Sequence, residues 1–119
     1  MEHLFVYGTL RRGSQNKFAK LLAARAQFVA AARVQGLLYD FGSYPGAVPS
    51  NQPGNWVIGE VHRFEDPHLL SLLDEYEGSE YKRAIAPAHT GDGTIDCSIY
   101  WYVGTVGGPA IASGDWLRR

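Results

Sequence analysis

The run His3-Leu4-Phe5-Val6-Tyr7 passes directly into Gly8-Thr9-Leu10-Arg11-Arg12-Gly13, and this junction constrains the chain more than any other stretch. Its first half is apolar and rich in β-formers, the composition of a buried strand. Its second half opens on glycine and continues with small and polar residues. The strand therefore stops at a turn whose backbone N–H groups have no ladder to join. Such groups can hold a carboxylate or a developing oxyanion. The junction predicts a substrate cradle, with the reacting group supplied from elsewhere in the chain.

The rest of the composition narrows the class. With 119 residues, 45% apolar and 13% aromatic, there is material for one hydrophobic core, and a single domain over 1–119 is expected. A net charge of −1 gives no electrostatic footprint for nucleic acid or an anionic membrane. No window has the length of a transmembrane helix, and the N-terminus lacks the layout of a secretion signal. Cys97 stands alone, so neither a disulfide framework nor a cysteine metal site is expected. These features point to a cytoplasmic protein. Fourteen glycines and six prolines imply many turns and a β-rich fold with short connections.

Along the chain, Ser14 is positioned to cap a helix whose stripe is Phe18, Leu21, Leu22 and Ala23. Gln27 to Val34 and Leu37 to Tyr39 read as two short strands. Asp40 to Gln52, broken by Pro45 and Pro49, reads as loop or broken edge strand and leaves Tyr44 in a flexible setting. Trp56 to Phe64 alternates and is a strand. Asp66-Pro67 predicts a helix start, with Leu69, Leu70, Leu72, Leu73 and Tyr76 as its buried face and Gly78 as its stop. Tyr81 to Ala88 and Thr94 to Val103 form a hairpin across His89 to Gly93. In the second of these strands, Cys97, Ile99, Trp101 and Val103 share one face, and Ser98, Tyr100 and Tyr102 the other.

Glu77 is the acid that stands out. It occupies the last helical turn, where the macrodipole disfavours an anion. It lies seven positions beyond Leu70 and four beyond Leu73, on or beside the apolar face. Both effects raise a carboxyl pKa, and a carboxyl raised toward neutrality can take and return a proton. The bland alternative is an ion pair with Lys82 or Arg83, or simple exposure. Asp74 is a weaker second acid, read first as a hydrogen-bonding helix residue.

Phe5-Val6-Tyr7-Gly8-Thr9-Leu10-Arg11 resembles the Tyr-Gly-Ser/Thr-Leu signature of the γ-glutamylcyclotransferase-like family, which includes the γ-glutamylamine cyclotransferases. Leu73-Asp74-Glu75-Tyr76-Glu77-Gly78, followed by Tyr81-Lys82-Arg83, is similar to that family's Leu-Asp-x-x-Glu-Gly and Tyr-x-Arg. Gly59-Glu60-Val61 and Ser113-Gly114-Asp115-Trp116 resemble its remaining motifs, in the expected order. The resemblance implies an α+β fold, a small mixed β-barrel flanked by helices. It implies that Tyr7, Gly8, Thr9 and Leu10 line the substrate cavity and that Glu77 is the general acid/base. The short Ser79-Glu80 segment departs from relatives that carry a longer, Pro-containing stretch there.

The reaction implied is intramolecular aminolysis of a γ-glutamyl compound, releasing 5-oxoproline and an amine or amino acid, with no cofactor or metal. The partner is then a small molecule, with no nucleic acid or membrane involved and the oligomeric state left open. Among the other residues, Tyr7 is either a hydroxyl that orients substrate or plain core. Tyr81 and Arg83 either shape the cavity or pair structurally across strands. Arg11 and Arg12 either attract an anion or are solvated. His3, His62, His68 and His89 read as surface or strand residues, Cys97 as an apolar filler, and Trp116 as packing for the tail. The competing functional readings are a metabolite-binding module using the same cavity and an interaction domain with a vestigial one.

Overall fold

A computed structural model describes residues 2–119 of the chain. The elements run β1 (Glu2–Val6), α1 (Lys17–Arg25), β2 (Gln27–Asp40), β3 (Pro45–Pro49), β4 (Trp56–Phe64), α2 (His68–Glu77), β5 (Tyr81–Thr90) and β6 (Gly93–Tyr102), with a 3₁₀ turn at Trp116–Arg118. The strand order is β3-β2-β4-β1-β6-β5, and β2 pairs again with β5. Strands β2, β4, β1, β6 and β5 thus close a barrel on themselves, with β3 added along the far end of β2. The β1–β6 pairing is parallel and the others are antiparallel. The expected small mixed barrel flanked by helices is the architecture found.

Period-two alternation explains why the buried end of β1, Leu4 to Val6, and the Tyr7 that follows it have no polar side chain on either face but the Tyr7 hydroxyl. Phe5 and Tyr7 point into the barrel with Val34, Val57, Val61, Cys97, Ile99 and Trp116. Leu4 and Val6 point outward beneath the helices, with Leu10, Leu22, Phe64, Leu69, Leu70, Leu73 and Tyr100. A strand covered on both sides has no polar face to alternate with. The same rule splits β6, which sends Cys97 and Ile99 inward and Tyr100 outward.

Several local expectations change. β2 is one strand of 14 residues where the sequence suggests two. Gly36 carries it across the suspected break, against the backbone of Val48. The cap of α1 is Asn16, whose Oδ1 accepts from the N–H groups of Phe18 and Ala19, while Ser14 Oγ accepts from Asn16 N. The buried positions of α1 are Ala19 and Leu22, and Ala23 is exposed. Asp66 Oδ1 does accept from His68 N at the start of α2, but Leu72 turns outward. Asp40 to Gln52 contains the proline-bounded edge strand β3. Val103 lies beyond β6 and is exposed. The tail returns to the barrel, where Trp116 is buried in the core and Ile111 N donates to Leu38 O at 2.8 Å.

Candidate active site

Two elements meet across one cavity of about 350 Å³. The first is the segment after β1. Arg11 N closes a turn on Gly8 O at 3.1 Å. The N–H groups of Gly8, Thr9 and Leu10 find no acceptor among the described residues. Glycine is required at position 8 because a Cβ there would lie 2.5 Å from Pro45 Cγ. The second element is the end of α2. Leu69, Leu70 and Leu73 seat its inner face, each burial worth about 1.5–3 kcal/mol. Gly78 stops it with φ +76°, its N–H on Asp74 O at 3.1 Å.

That anchoring holds Glu77 in the cavity wall. The side chain is half-buried, and no ion pair or hydrogen bond to it occurs among the described residues. Burial pushes its carboxyl from 4.5 to about 7. The neighbouring cation goes elsewhere: Arg83 Nε lies 3.0 Å from Asp74 Oδ1, and Tyr100 OH donates to the same oxygen at 2.7 Å. Asp74 is therefore a structural acid, as its bland reading had it.

Tyr7, Gly8, Thr9, Leu10, Glu77 and Tyr81 are brought together in the wall. Tyr7 OH is committed to protein, donating to Tyr100 O at 2.6 Å and accepting from Ala47 N at 3.3 Å. Burial raises its pKa well above the ordinary phenol value. Tyr81 OH donates to Pro45 O at 2.7 Å and ties the wall to β3. Arg83 is not brought into the cavity. It lines a neighbouring groove with Asp74 and Lys82, where its salt bridge to Asp74 holds it.

Asn16, Ser43, Tyr44, Tyr76 and Glu80 also line the cavity, and sequence reasoning did not assign them to it. Asn16 Nδ2 donates to Tyr76 OH at 2.7 Å, with Thr9 Oγ1 3.5 Å from the same hydroxyl. The short Ser79-Glu80 link is what delivers Glu80 to the rim, and it was the one signal available. The wall contains two carboxylates and no lysine, arginine or histidine among the described residues.

Two other residues lie near the turn. His62 is the strand residue expected, within β4, and is 3% exposed with Nε2 3.2 Å from Glu60 Oε1. Arg11 is largely enclosed, with Nη1 2.7 Å from Asp115 Oδ1. Burial pushes the Glu60 carboxyl up, but hydrogen bonds from His62 and Arg12 N and the Arg11 charge outweigh it and hold it below its usual value.

A small mixed barrel whose cavity is lined by a half-buried acid and a strand-end turn defines the class, a compact barrel with an acidic pocket. The family model for gamma-glutamyl cyclotransferase, AIG2-like, matches residues 4–118, and the chain belongs to that family. It is 35% identical over 98% of its length to the Escherichia coli gamma-glutamylcyclotransferase family protein YtfP, spanning 96% of that protein. It is 31% identical over 98% of its length to the mouse gamma-glutamylaminecyclotransferase, spanning 84% of it. The crystal structure of a mouse AIG2-like protein superposes with a TM-score of 0.77 at 26% identity, over 94% of this chain and 86% of that one.

Proposed function

We propose that this protein is a cofactor-independent cyclotransferase that converts a γ-glutamyl compound into 5-oxoproline and a free amine, with Glu77 as the proton carrier. The observation that carries this is the placement of an unpaired carboxyl of pKa about 7 across one cavity from the turn at Gly8 to Leu10.

The steps balance with these groups alone. Glu77 takes a proton from the substrate's α-ammonium, and the freed amine attacks its own γ-carbonyl. The new C–N bond closes a five-membered ring, and negative charge moves to the carbonyl oxygen. N–H groups at Gly8, Thr9 and Leu10 receive that oxyanion; one such donor typically contributes about 10²–10³-fold. Protonated Glu77 then gives its proton to the leaving nitrogen, and the original amide bond breaks. Two protons leave the α-nitrogen over the cycle and two reach the departing nitrogen, so one group near neutral pKa can relay both in turn. The nucleophile and electrophile belong to one molecule, so holding it folded supplies much of the rate.

Charge in the wall supports a leaving group without a carboxylate of its own. With Glu77 and Glu80 present and no cation among the described residues that line the cavity, a neutral or cationic amine is favoured over an amino acid. The name of the mouse relative supports the same class. The test is a panel of γ-glutamylamines and γ-glutamyl amino acids incubated with the protein and assayed for 5-oxoproline. Product is expected first from γ-glutamylamines. Saturable binding without product across the panel would mark a metabolite-binding domain instead.

A further inference from the structure

We propose that Asp115 and Glu60 are positioning residues, which grip Arg11 and Arg12 so that the N–H groups of Gly8 to Leu10 stay aimed into the cavity. The inference rests on the reading that those amides receive the reacting oxygen, and it assigns a role to the tail's Gly-Asp-Trp sequence.

The segment between β1 and α1 has few ties of its own. Beyond the Arg11–Gly8 turn bond, Ser14 N donates to Arg11 O at 3.2 Å. Tyr7 OH on Tyr100 O and the buried Leu10 side chain anchor one end, Asn16 Nδ2 on Tyr76 OH anchors the other, and between them Arg11 and Arg12 are held by charge. Arg11 Nη1 meets Asp115 Oδ1 at 2.7 Å, and its Nε lies 3.7 Å from Glu60 Oε2, an ion contact without a hydrogen bond. Arg12 N donates to Glu60 Oε1 at 3.0 Å, and Arg12 Nε stands 3.6 Å from Glu60 Oε2. One guanidinium is thus held from two sides, by β4 and by the tail.

Both carboxylates are themselves fixed. Glu60 is 6% exposed, and its Oε1 lies 3.2 Å from His62 Nε2. Asp115 accepts from Leu117 N at 3.0 Å. Gly114 lets the tail reach β4: Ile58 N donates to its carbonyl at 2.8 Å, a Cβ would strike Trp56 O, and φ is +68°. Trp116, next in sequence, is buried in the barrel core. Enclosed ion pairs give little net stability over apolar packing of the same shape, because desolvation offsets the attraction. What they add is direction. Here the direction set is that of the turn immediately preceding Arg11.

The experiment compares Asp115→Asn and Glu60→Gln with Ile99→Val, a core truncation that lowers Tm and removes none of the ionic contacts of the grip. ¹⁵N order parameters and ¹⁵N–¹H shifts at Gly8, Thr9 and Leu10 are read alongside kcat and KM for 5-oxoproline release. In both grip variants the three amides should shift and their order parameters should fall from about 0.85 to below about 0.6, as in a locally loosened segment, while β1 and β4 amides keep their exchange protection. Their kcat should fall by about 10- to 100-fold with KM within about twofold, because donors displaced by a fraction of an ångström fail mainly in the transition state. The pH dependence set by Glu77 should not move. Ile99→Val should show none of these changes. Turn amides and kcat in both grip variants matching Ile99→Val would overturn the proposal, as would failure of both grip variants to fold, since the cluster would then hold the barrel and not the turn. If the unaltered protein makes no 5-oxoproline, the amide measurements still decide the positioning claim separately from the reaction.

Discussion

Glu77 loses much of its hydration at the end of α2, and that loss has a signature in stability as well as in rate. Its folded pKa of about 7 lies above the ordinary 4.5. Between those values the folded state binds more protons than the unfolded one, so this group lowers stability as pH rises from about 4.5 to about 7. The penalty is complete above that range and absent below it, with an upper size of about 3 kcal/mol. Glu77→Gln should therefore be more stable than the unaltered protein at pH 8 and no more stable at pH 4, as denaturant titration at the two pH values will read. The same group sets the rate profile: kcat/KM should climb through pH about 7 to a plateau, since the base must be ionised to accept the α-ammonium proton. The position of Glu77 was legible from its spacing to Leu70 and Leu73. The cause of its shift was legible only in part, because the structure assigns it to burial.

At the scale of elements, the strand-end turn and the C-terminus of α2 line one cavity, and β3 meets the turn at Pro45 and the start of β5 through Tyr81. Gly8→Ala should force Pro45 away from the turn, because the new Cβ would lie 2.5 Å from its ring. A loss of about 1–3 kcal/mol is expected in thermal unfolding, with a weakened KM. Arg83→Ala should behave differently. Its pair with Asp74 is partly exposed, so stability should drop by less than about 1 kcal/mol. Its kcat/KM should stay near that of the unaltered protein, and a large rise in KM would return Arg83 to the binding site. The elements themselves were largely readable: β1 from its apolar run, α2 from Asp66-Pro67 and Gly78, the β5–β6 hairpin from alternation. Less readable were features set by distant partners. β2 runs through Gly36 because β3 and β4 pair with it on both sides. Asn16 displaces Ser14 as the cap because its amide also reaches Tyr76. Arg83 carries a motif position but goes to Asp74, which a local pattern does not disclose.

Over the whole molecule, closing the barrel makes the cavity a meeting point of segments far apart in sequence, and the tail packs into the barrel core. Trp116 is 6% exposed in the core. Trp116→Ala should cost about 3–5 kcal/mol, seen as a large fall in Tm. The rate profile of the remaining folded protein should keep its limb near pH 7, since Glu77 keeps its burial at the end of α2. Sequence motifs spread from residue 5 to residue 116 marked the family and the barrel. Neither the ionic grip on Arg11 nor the burial of His62 was visible in them, because both depend on β4 and the tail arriving at one place. No helix among the described residues is long and apolar enough to cross a membrane. The most direct test of the central claim is 5-oxoproline release from a γ-glutamylamine at pH 8 by the unaltered protein and by Glu77→Gln, each verified as folded. The expected result is turnover by the first and a rate roughly 10²–10⁴-fold lower for the second; equal rates from the two proteins would contradict it.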